Sequence, residues 1–332
     1  MNLQHRLDLL VRLGQYMNNK SAEWQQAKEK AFQKNNWFIL PFIDTAVAGI
    51  VQNFLEKEKL QQFAKAYDLP QQVPNPKKVG LVMAGNIPLV GFHDLLCTFL
   101  TGHYSFIKLS SKDDVLLEHL LKKMMEWEPD VAPYFTISSL LKNCDAYIAT
   151  GSDNTARYFE YYFEKYPHII RRNRTSVAIL TGNETEEELT KLADDVHLYF
   201  GLGCRNVTKL YVPEGYDFVP LLAAFNKYSF LSDLNKYKNN YDYNLAIHLL
   251  NKKYYMTNGT TLLIEDAALF SPISQVNYEQ YTNLVEVEKS LVGNEKVQCI
   301  IGSNFTQFGI SQFPQLTDFA DGIDTVKFLK HL

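Results

Sequence analysis

The first 70 residues carry apolar side chains at steps of three and four positions. The stretches LQHRLDLLVRLGQYM and DTAVAGIVQNFLEKEKLQQFAKAY both follow this spacing, which lines the apolar side chains along one face of a helix. Three prolines then fall within residues 69–78, and clustered prolines interrupt helices. The pattern therefore predicts a helical N-terminal segment that stops near residue 70.

From residue 78 onward, short apolar runs alternate with helical patterns. The predicted strands read KVGLVMAG, YSFIKLS, DAYIAT, TSVAILTG and VTKLYVP. The helices predicted after them read NIPLVGFHDLLCTFLTG, DDVLLEHLLKKMMEW, GSDNTARYFEYYFEKY, ETEEELTKLADDVHLYF and DFVPLLAAFNKY. Strands that alternate with helices are typical of a parallel sheet with helical crossovers. We therefore predict an α/β protein, with Ser110 or Ser111 capping the second of these helices.

Composition and charge narrow the class of protein. The chain has 332 residues, a net charge of −4 and 46% hydrophobic residues, which fits a globular protein of one large or two ordinary domains. The sequence shows no basic stripe, signal peptide or apolar run of membrane-spanning length. We therefore expect a cytoplasmic protein without a nucleic-acid or membrane partner. The four cysteines lie far apart, which argues against a zinc ribbon or a disulfide scaffold.

The segment YFGLGCRNVTKLYVP contains the first candidate for chemistry. Gly201 and Gly203 allow a sharp turn before Cys204, so the thiol can attack an acyl carbon while backbone N–H groups hold the oxyanion. The predicted helix before this turn ends in an electronegative C-terminus, which disfavours a thiolate, and Arg205 can offset that effect. An ordinary cysteine buried at a helix–strand junction fits the same residues.

Other polar residues follow predicted strands, where ligands bind in open parallel sheets. The Asn86 amide can donate to an oxyanion or simply cap a helix. Lys108 can bind a ribose or phosphate, or extend its ammonium group to water from a buried stem. Gly151 and Ser152 can contact a phosphate at a helix N-terminus or form an ordinary turn. Each of these positions, taken alone, leaves both interpretations open.

The order of the segments is more specific than any one of them. Strand–Asn–x–Pro, strand–Lys, Thr–Gly–Ser and then Gly–x–Cys resemble the aldehyde dehydrogenase superfamily. The stretches AGNIPLVG, TSVAILTG and YFGLGCRNVTKLYVP are similar in more detail to the acyl-CoA reductase family, whose best-known members supply fatty aldehyde to bacterial luciferase. This resemblance implies an aldehyde-dehydrogenase-like fold. Residues 1–180 would hold the helical segment and an open parallel-sheet cofactor domain, and residues 181–332 an α/β catalytic domain.

The resemblance also implies a reaction and a set of site residues. Cys204 would attack an acyl thioester and expel CoA, and hydride from NADPH would then release an aldehyde. Asn86 would hold the oxyanion, and Phe270 in LFSPIS is similar to a loop beside the nicotinamide ribose. The implied cofactor-binding residues are Lys108, Ser111, Gly151, Ser152 and Phe270. No metal is implied.

Departures from the superfamily pattern refine the expected activity. The water-activating glutamate of aldehyde oxidisers is absent from the basic stretch around Arg171, so an acyl-enzyme should persist until it meets CoA or hydride. Ser111 and Lys112 stand where NAD users are often acidic, and a neutral residue beside a cation tolerates a 2′-phosphate. We therefore expect NADPH, with NADH as the second choice.

The leading hypothesis is NADPH-dependent reduction of a fatty acyl-CoA, or another acyl thioester, to an aldehyde. Ala268 stands where relatives carry a glutamate before the nicotinamide loop, which keeps open an acyl-transfer or acyl-binding subunit without reductase activity. An aldehyde dehydrogenase acting on another small acyl substrate is the other alternative. An acyl-donor protein partner and oligomer formation also stay open.

Overall fold

The computed structural model describes residues 1–332, except for the side chain of Asp153. The chain divides into two compact units. The first unit comprises Met1–Asn173 and Phe313–Leu332, and the second comprises Arg174–Gln312. Each unit contains a sheet and helices, so the predicted α/β class is confirmed.

Four helices form the N-terminal part of the first unit. They span Leu3–Asn18 (α1), Ala22–Lys34 (α2), Leu40–Phe54 (α3) and Lys57–Ala66 (α4). Their apolar faces join one continuous core, in which Leu13, Trp24 and Ile43 are fully buried. The helical segment predicted from the three- and four-residue spacing is therefore confirmed, since burial of one apolar face is what that spacing allows.

Five parallel strands form the sheet of the first unit in the order β3–β2–β1–β4–β5. They span Lys78–Val82 (β1), Tyr104–Lys108 (β2), Phe135–Ile137 (β3), Ala146–Thr150 (β4) and His168–Arg171 (β5). The intervening helices span Phe92–Leu100 (α5), Val115–Trp127 (α6) and Asp153–Phe163 (α7). The chain builds outward from β1 to one side and then resumes on its other side at β4. Ligands bind at such a reversal, outside the carboxyl ends of the strands.

Two predicted helix starts in this unit are wrong. The helix predicted from Asn86 begins only at Phe92, and residues 86–91 form a turn in which Leu89 has a left-handed φ of 57°. The predicted serine cap of α6 is also absent. Asp114 occupies the N-cap without a side-chain hydrogen bond, because the Ser110 hydroxyl accepts from the Lys112 N–H within the preceding turn.

Six strands form the sheet of the second unit in the order β11–β6–β7–β10–β9–β8. They span Thr175–Ile179 (β6), Val207–Pro213 (β7), Met256–Thr257 (β8), Leu262–Glu265 (β9), Gln275–Tyr281 (β10) and Val297–Ile301 (β11). All pairings are parallel except that of β8 with β9. The helices of this unit span Glu186–His197 (α8), Val219–Phe225 (α9), Asn235–Leu250 (α10) and Leu284–Leu291 (α11).

The predicted division at residue 180 differs from the observed one in two places. Strand β6 belongs to the second unit, because it pairs with β7 and β11 rather than with β5. The C-terminal segment, which contains helix α12 (Thr325–Lys330), belongs to the first unit. There the Asn53 amide donates to the Phe313 carbonyl at 3.0 Å. In the described part of the chain, no helix combines the length and apolar character that a membrane crossing requires.

Candidate active site

Five of the predicted site residues lie at the carboxyl edge of the first unit's sheet. Asn86 lies in the loop after β1, Lys108 ends β2 and Ser111 follows it, while Gly151 and Ser152 follow β4. Because β2, β1 and β4 are neighbours in the sheet, these loops leave the sheet side by side. All but the half-buried Gly151 are exposed to solvent. The fold therefore groups these five residues at the edge where parallel sheets bind ligands.

The loop that carries Asn86 is packed tightly against the loop after β2. A Cβ atom on Gly85 would lie 2.4 Å from the Ser110 Oγ atom, so only glycine permits this approach. The Asp113 carboxylate accepts from the backbone N–H groups of Leu89 and Val90. These contacts hold residues 85–90 in their non-helical turn and thereby set the position of Asn86.

The Asp113 carboxyl group has a strongly raised pKa. Burial raises its pKa to about 7, and the two backbone N–H groups that it accepts from only partly oppose this shift. Its Oδ1 atom has no hydrogen-bond partner among the described residues. Burying a charged carboxylate with one unsatisfied oxygen costs free energy. The folded protein therefore favours the protonated form of Asp113 below about pH 7.

An Asp113→Asn variant should test the free-energy cost of burying the charged Asp113 carboxylate. Because the folded pKa of Asp113 is raised, its contribution to stability is greatest at low pH and falls as the pH rises toward 7. The amide has no such loss. We expect the free energy of unfolding of the wild type to decline relative to the variant by up to about 1.4 kcal/mol per pH unit between roughly pH 4 and 7.

Urea unfolding at several pH values measures this difference. Asp130→Asn is the matched control, because Asp130 is an exposed acid of the same unit and should show no comparable trend against the wild type. Parallel pH curves for the wild type and Asp113→Asn would contradict the assigned burial effect.

The turn at Gly151 and Ser152 is also closely packed. The Gly151 N–H donates to the Arg171 carbonyl at 3.2 Å, and a Cβ atom there would lie 3.0 Å from Cε2 of Phe159. The Ser152 hydroxyl accepts from the Thr155 N–H and so caps α7. The Ser152 hydroxyl thus has a structural role in addition to any contact with a ligand.

Cys204 lies on a four-residue turn between α8 and β7 in the second unit. It is partly exposed, whereas Cys97, Cys144 and Cys299 are buried. The Ser176 hydroxyl on β6 donates to the Cys204 carbonyl at 3.1 Å and accepts from the Cys299 N–H on β11 at 3.1 Å. One serine thus ties the Cys204 turn to two neighbouring strands.

The Arg205 guanidinium lies against the sulfur of Cys299. Its Nη1 atom donates to the Sγ atom of Cys299 at 3.1 Å. The sequence leaves the direction of this guanidinium open, and the structure places it against β11. Its charge therefore interacts with Cys299.

Phe270 lies in the loop between β9 and β10, close to the start of β7. The Thr208 hydroxyl donates to the Leu269 carbonyl at 2.7 Å, and the Asn277 amide donates to the carbonyls of Ala268 and Phe270 at 3.0 and 3.1 Å. Because Thr208 lies on β7, the strand that follows the Cys204 turn, the second unit brings the Phe270 loop to the strand that follows the cysteine. The Phe270 ring is 43% exposed.

His197, the histidine nearest to Cys204 in the sequence, is buried, and both of its ring nitrogens have hydrogen-bond partners. Burial lowers the pKa of His197 to about 4, so its ring is neutral near pH 7. One ring nitrogen lies 2.8 Å from the Ala193 carbonyl and the other 2.8 Å from the Thr261 hydroxyl. His197 supports the end of α8 and does not serve as a general base. The described residues also contain no group of three metal-ligating side chains.

Sequence reasoning missed three residues that shape these loops: Asp113, Ser176 and Asn206. Each is buried despite a polar side chain. A signal was present for two of them, since Ser176 is a polar residue near the start of the predicted strand TSVAILTG and Asn206 comes just before VTKLYVP. Polar residues at such positions are buried only when they are hydrogen-bonded, so each is a candidate for holding neighbouring backbone.

Comparison with known proteins identifies the family. The sequence profile described as "Acyl-CoA reductase (LuxC)" matches residues 11–219, which is more than half of the chain. This chain belongs to the acyl-CoA reductase (LuxC) family. It is therefore an oxidoreductase. No curated protein matches the sequence of this acyl-CoA reductase family member.

Solved structures confirm the aldehyde-dehydrogenase-like fold. Aldehyde dehydrogenase 21 from Physcomitrella patens, in complex with succinate, is 14% identical, with a TM-score of 0.66 over 91% of this chain and 74% of that one. An E. coli NADP dependent enzyme is 10% identical, with a TM-score of 0.65 over 91% and 73%. A Mycobacterium tuberculosis aldehyde dehydrogenase complexed with NAD+ is 11% identical, with a TM-score of 0.64 over 91% and 73%. At these identities the likeness shows the fold alone.

Proposed function

We propose that this protein reduces a fatty acyl-CoA to the corresponding aldehyde with NADPH, through a thioester on Cys204. The observation that carries the proposal is the partly exposed thiol on a turn tied to β6, in a chain of the acyl-CoA reductase family. The other three thiols are buried, and burial raises the pKa of the Cys97 and Cys144 thiols, which makes them poor nucleophiles.

In the proposed reaction, the Cys204 thiolate attacks the acyl carbonyl carbon, the bond from that carbon to the CoA sulfur breaks, and CoA leaves as its thiolate. Asn86 donates a hydrogen bond to the carbonyl oxygen as that atom becomes negative. When bound, a nicotinamide cofactor would supply the hydride that reduces the carbonyl carbon of this thioester. The bond between the sulfur and the former acyl carbon would then break, so that the aldehyde leaves and the Cys204 thiolate is regenerated.

The carboxyl edge of the first sheet suits a nicotinamide dinucleotide. It presents an ammonium group on Lys108, a hydroxyl on Ser111 and an amide on Asn86, which are groups that bind phosphates and ribose hydroxyls. Gly85 and Gly151 keep the turns at this edge tightly packed, since a Cβ atom on either would lie within 3.0 Å of a neighbour. These residues would hold the cofactor, and Phe270 would contact its nicotinamide end.

One observation favours the alternative of an acyl-transfer subunit without reductase activity. Ala268 replaces the glutamate that is expected before the nicotinamide loop, and the nearby Asp266 carboxylate forms an ion pair with Lys253 at 2.7 Å from its Nζ atom. The test must therefore separate acylation from reduction.

Intact-protein mass spectrometry provides that separation. Incubation with hexadecanoyl-CoA and no cofactor should add one acyl group, and peptide mapping should place it on Cys204. NADPH should then remove the group and release hexadecanal. An adduct that neither NADPH nor NADH discharges would favour the acyl-transfer subunit. Absence of an adduct with acyl-CoA of any chain length would overturn the proposed substrate class.

A Ser111→Asp variant should shift cofactor preference toward NADH. The added carboxylate would repel the 2′-phosphate that the proposed site tolerates, and about 1.4 kcal/mol of repulsion raises a Kd roughly tenfold. Fluorescence titration with NADPH and NADH measures both affinities. Gln62→Glu is the control, because it adds one negative charge at an exposed position of helix α4 in the same unit, outside the loops at the carboxyl edge of the sheet. Equal changes for the two cofactors would count against the placement of Ser111.

A further inference from the structure

Asn206 is the most heavily hydrogen-bonded polar side chain beside the candidate nucleophile. It is fully buried. Its Oδ1 atom accepts from the Gly203 N–H at 2.8 Å. Its Nδ2 atom faces three backbone carbonyls at the end of α8, at 3.1, 3.3 and 2.8 Å. These carbonyls belong to Asp195, Val196 and Leu198.

The first consequence is a doubly closed turn. The Asn206 N–H donates to the Gly203 carbonyl at 3.1 Å, and the side chain of Asn206 returns a second bond to the Gly203 N–H. Cys204 and Arg205 are the two central residues of this turn. The Ser176 N–H also donates to the Asn206 carbonyl at 3.0 Å. The thiol-bearing residue is thus fixed at both ends of its turn and against β6.

The second consequence is electrostatic. Helix α8 ends at His197, and the chain then passes through three successive left-handed residues, Tyr199, Phe200 and Gly201, with φ of 55°, 60° and 73°. Non-glycine residues resist this conformation, so the helix end is held by its tertiary contacts. The last carbonyls of a helix carry partial negative charge. The Asn206 amide places partial positive charge directly against them.

We infer that Asn206 is a positioning residue for Cys204, which both closes the turn and offsets the negative end of α8 so that the thiolate can form. The inference rests on the proposed function only in taking Cys204 as the reacting thiol. It needs neither acyl-CoA nor a nicotinamide cofactor. Asn206 acts on the reacting thiol through the backbone of the turn and not by direct contact with the reacting atoms.

The rate of Cys204 alkylation by iodoacetamide, followed by peptide mapping from pH 5 to pH 10, tests the inference. Asn206→Asp keeps the shape of the side chain and replaces the donor amide with an acid. We expect its pH profile to move upward by about one unit, which corresponds to roughly tenfold slower alkylation near pH 7. Asn206→Ser adds no charge, retains one hydroxyl and should show a smaller shift in the same direction.

Asn244→Asp is the matched control. Asn244 is also buried in the second unit, and its amide donates to the Ile273 carbonyl at 3.0 Å. This variant should lower the melting temperature without moving the Cys204 profile. A folded Asn206→Ser variant with the wild-type alkylation profile would overturn the inference. If Asn206→Asp does not fold, the profile of Asn206→Ser alone serves as the test. If the Asn206 variants shift the alkylation profile but no acyl-CoA acylates the wild-type protein, the inference stands and the proposed function is removed.

Discussion

Cys204→Ala should abolish both acylation of the protein and aldehyde formation. The variant removes the only thiol that is partly exposed among the described residues, and loss of a catalytic nucleophile lowers turnover by roughly 10⁴-fold or more. Mass spectrometry with hexadecanoyl-CoA and an assay of NADPH oxidation measure the two steps separately. Both signals should fall to background.

Cys144→Ala serves as the control for this prediction. Cys144 is buried in the first unit, and burial raises the pKa of its thiol, so its removal should leave the adduct and the aldehyde product in place. Because alanine at position 204 leaves the turn's backbone hydrogen bonds unchanged, the Cys204 variant should melt near the wild-type temperature. An acyl adduct that persists in Cys204→Ala would show that another residue is the nucleophile.

Arg171→Met should destabilise the first unit by about 3–5 kcal/mol. Arg171 is buried, with a relative exposure of 3%. It lies 2.7 Å from Asp94 Oδ1 and donates to the Thr325 hydroxyl at 2.9 Å and to the Ala320 carbonyl. The substitution leaves the Asp94 carboxylate in a largely buried place without its cation. It also releases two contacts with the C-terminal segment. Urea unfolding of the whole chain measures the loss.

The adjacent Arg172 offers a matched control. It forms an ion pair with Glu160 in which both side chains are about half exposed, so Arg172→Met should change stability by less than about 1 kcal/mol. Adding Asp94→Asn to Arg171→Met should recover part of the loss, because no charge then stays buried alone. Equal effects of the two single arginine variants would mean that burial of the Arg171 pair adds nothing.

The interpretation of Arg171 illustrates how far the sequence could go. The stretch IIRRNRTSV shows, without any structure, that an expected glutamate is missing. It cannot show that Arg171 joins β5 to α5 and to a segment about 150 residues later in the chain. Asn86 is a similar case. Its location after a strand is predictable, whereas the delayed start of α5 depends on Asp113 holding the Leu89 and Val90 N–H groups.

The sequence by itself determined the α/β class, the helical N-terminal segment, the principal strands before residue 214 and the family to which the chain belongs. These features follow from local periodicity and from the order of short motifs, which are properties of neighbouring residues. Only the tertiary structure showed that β6 belongs to the second unit and residues 313–332 to the first, each opposite to the predicted division. It alone placed Asn206 between α8 and the Cys204 turn. Those features depend on which distant groups satisfy buried hydrogen bonds, and local pattern carries no record of that choice.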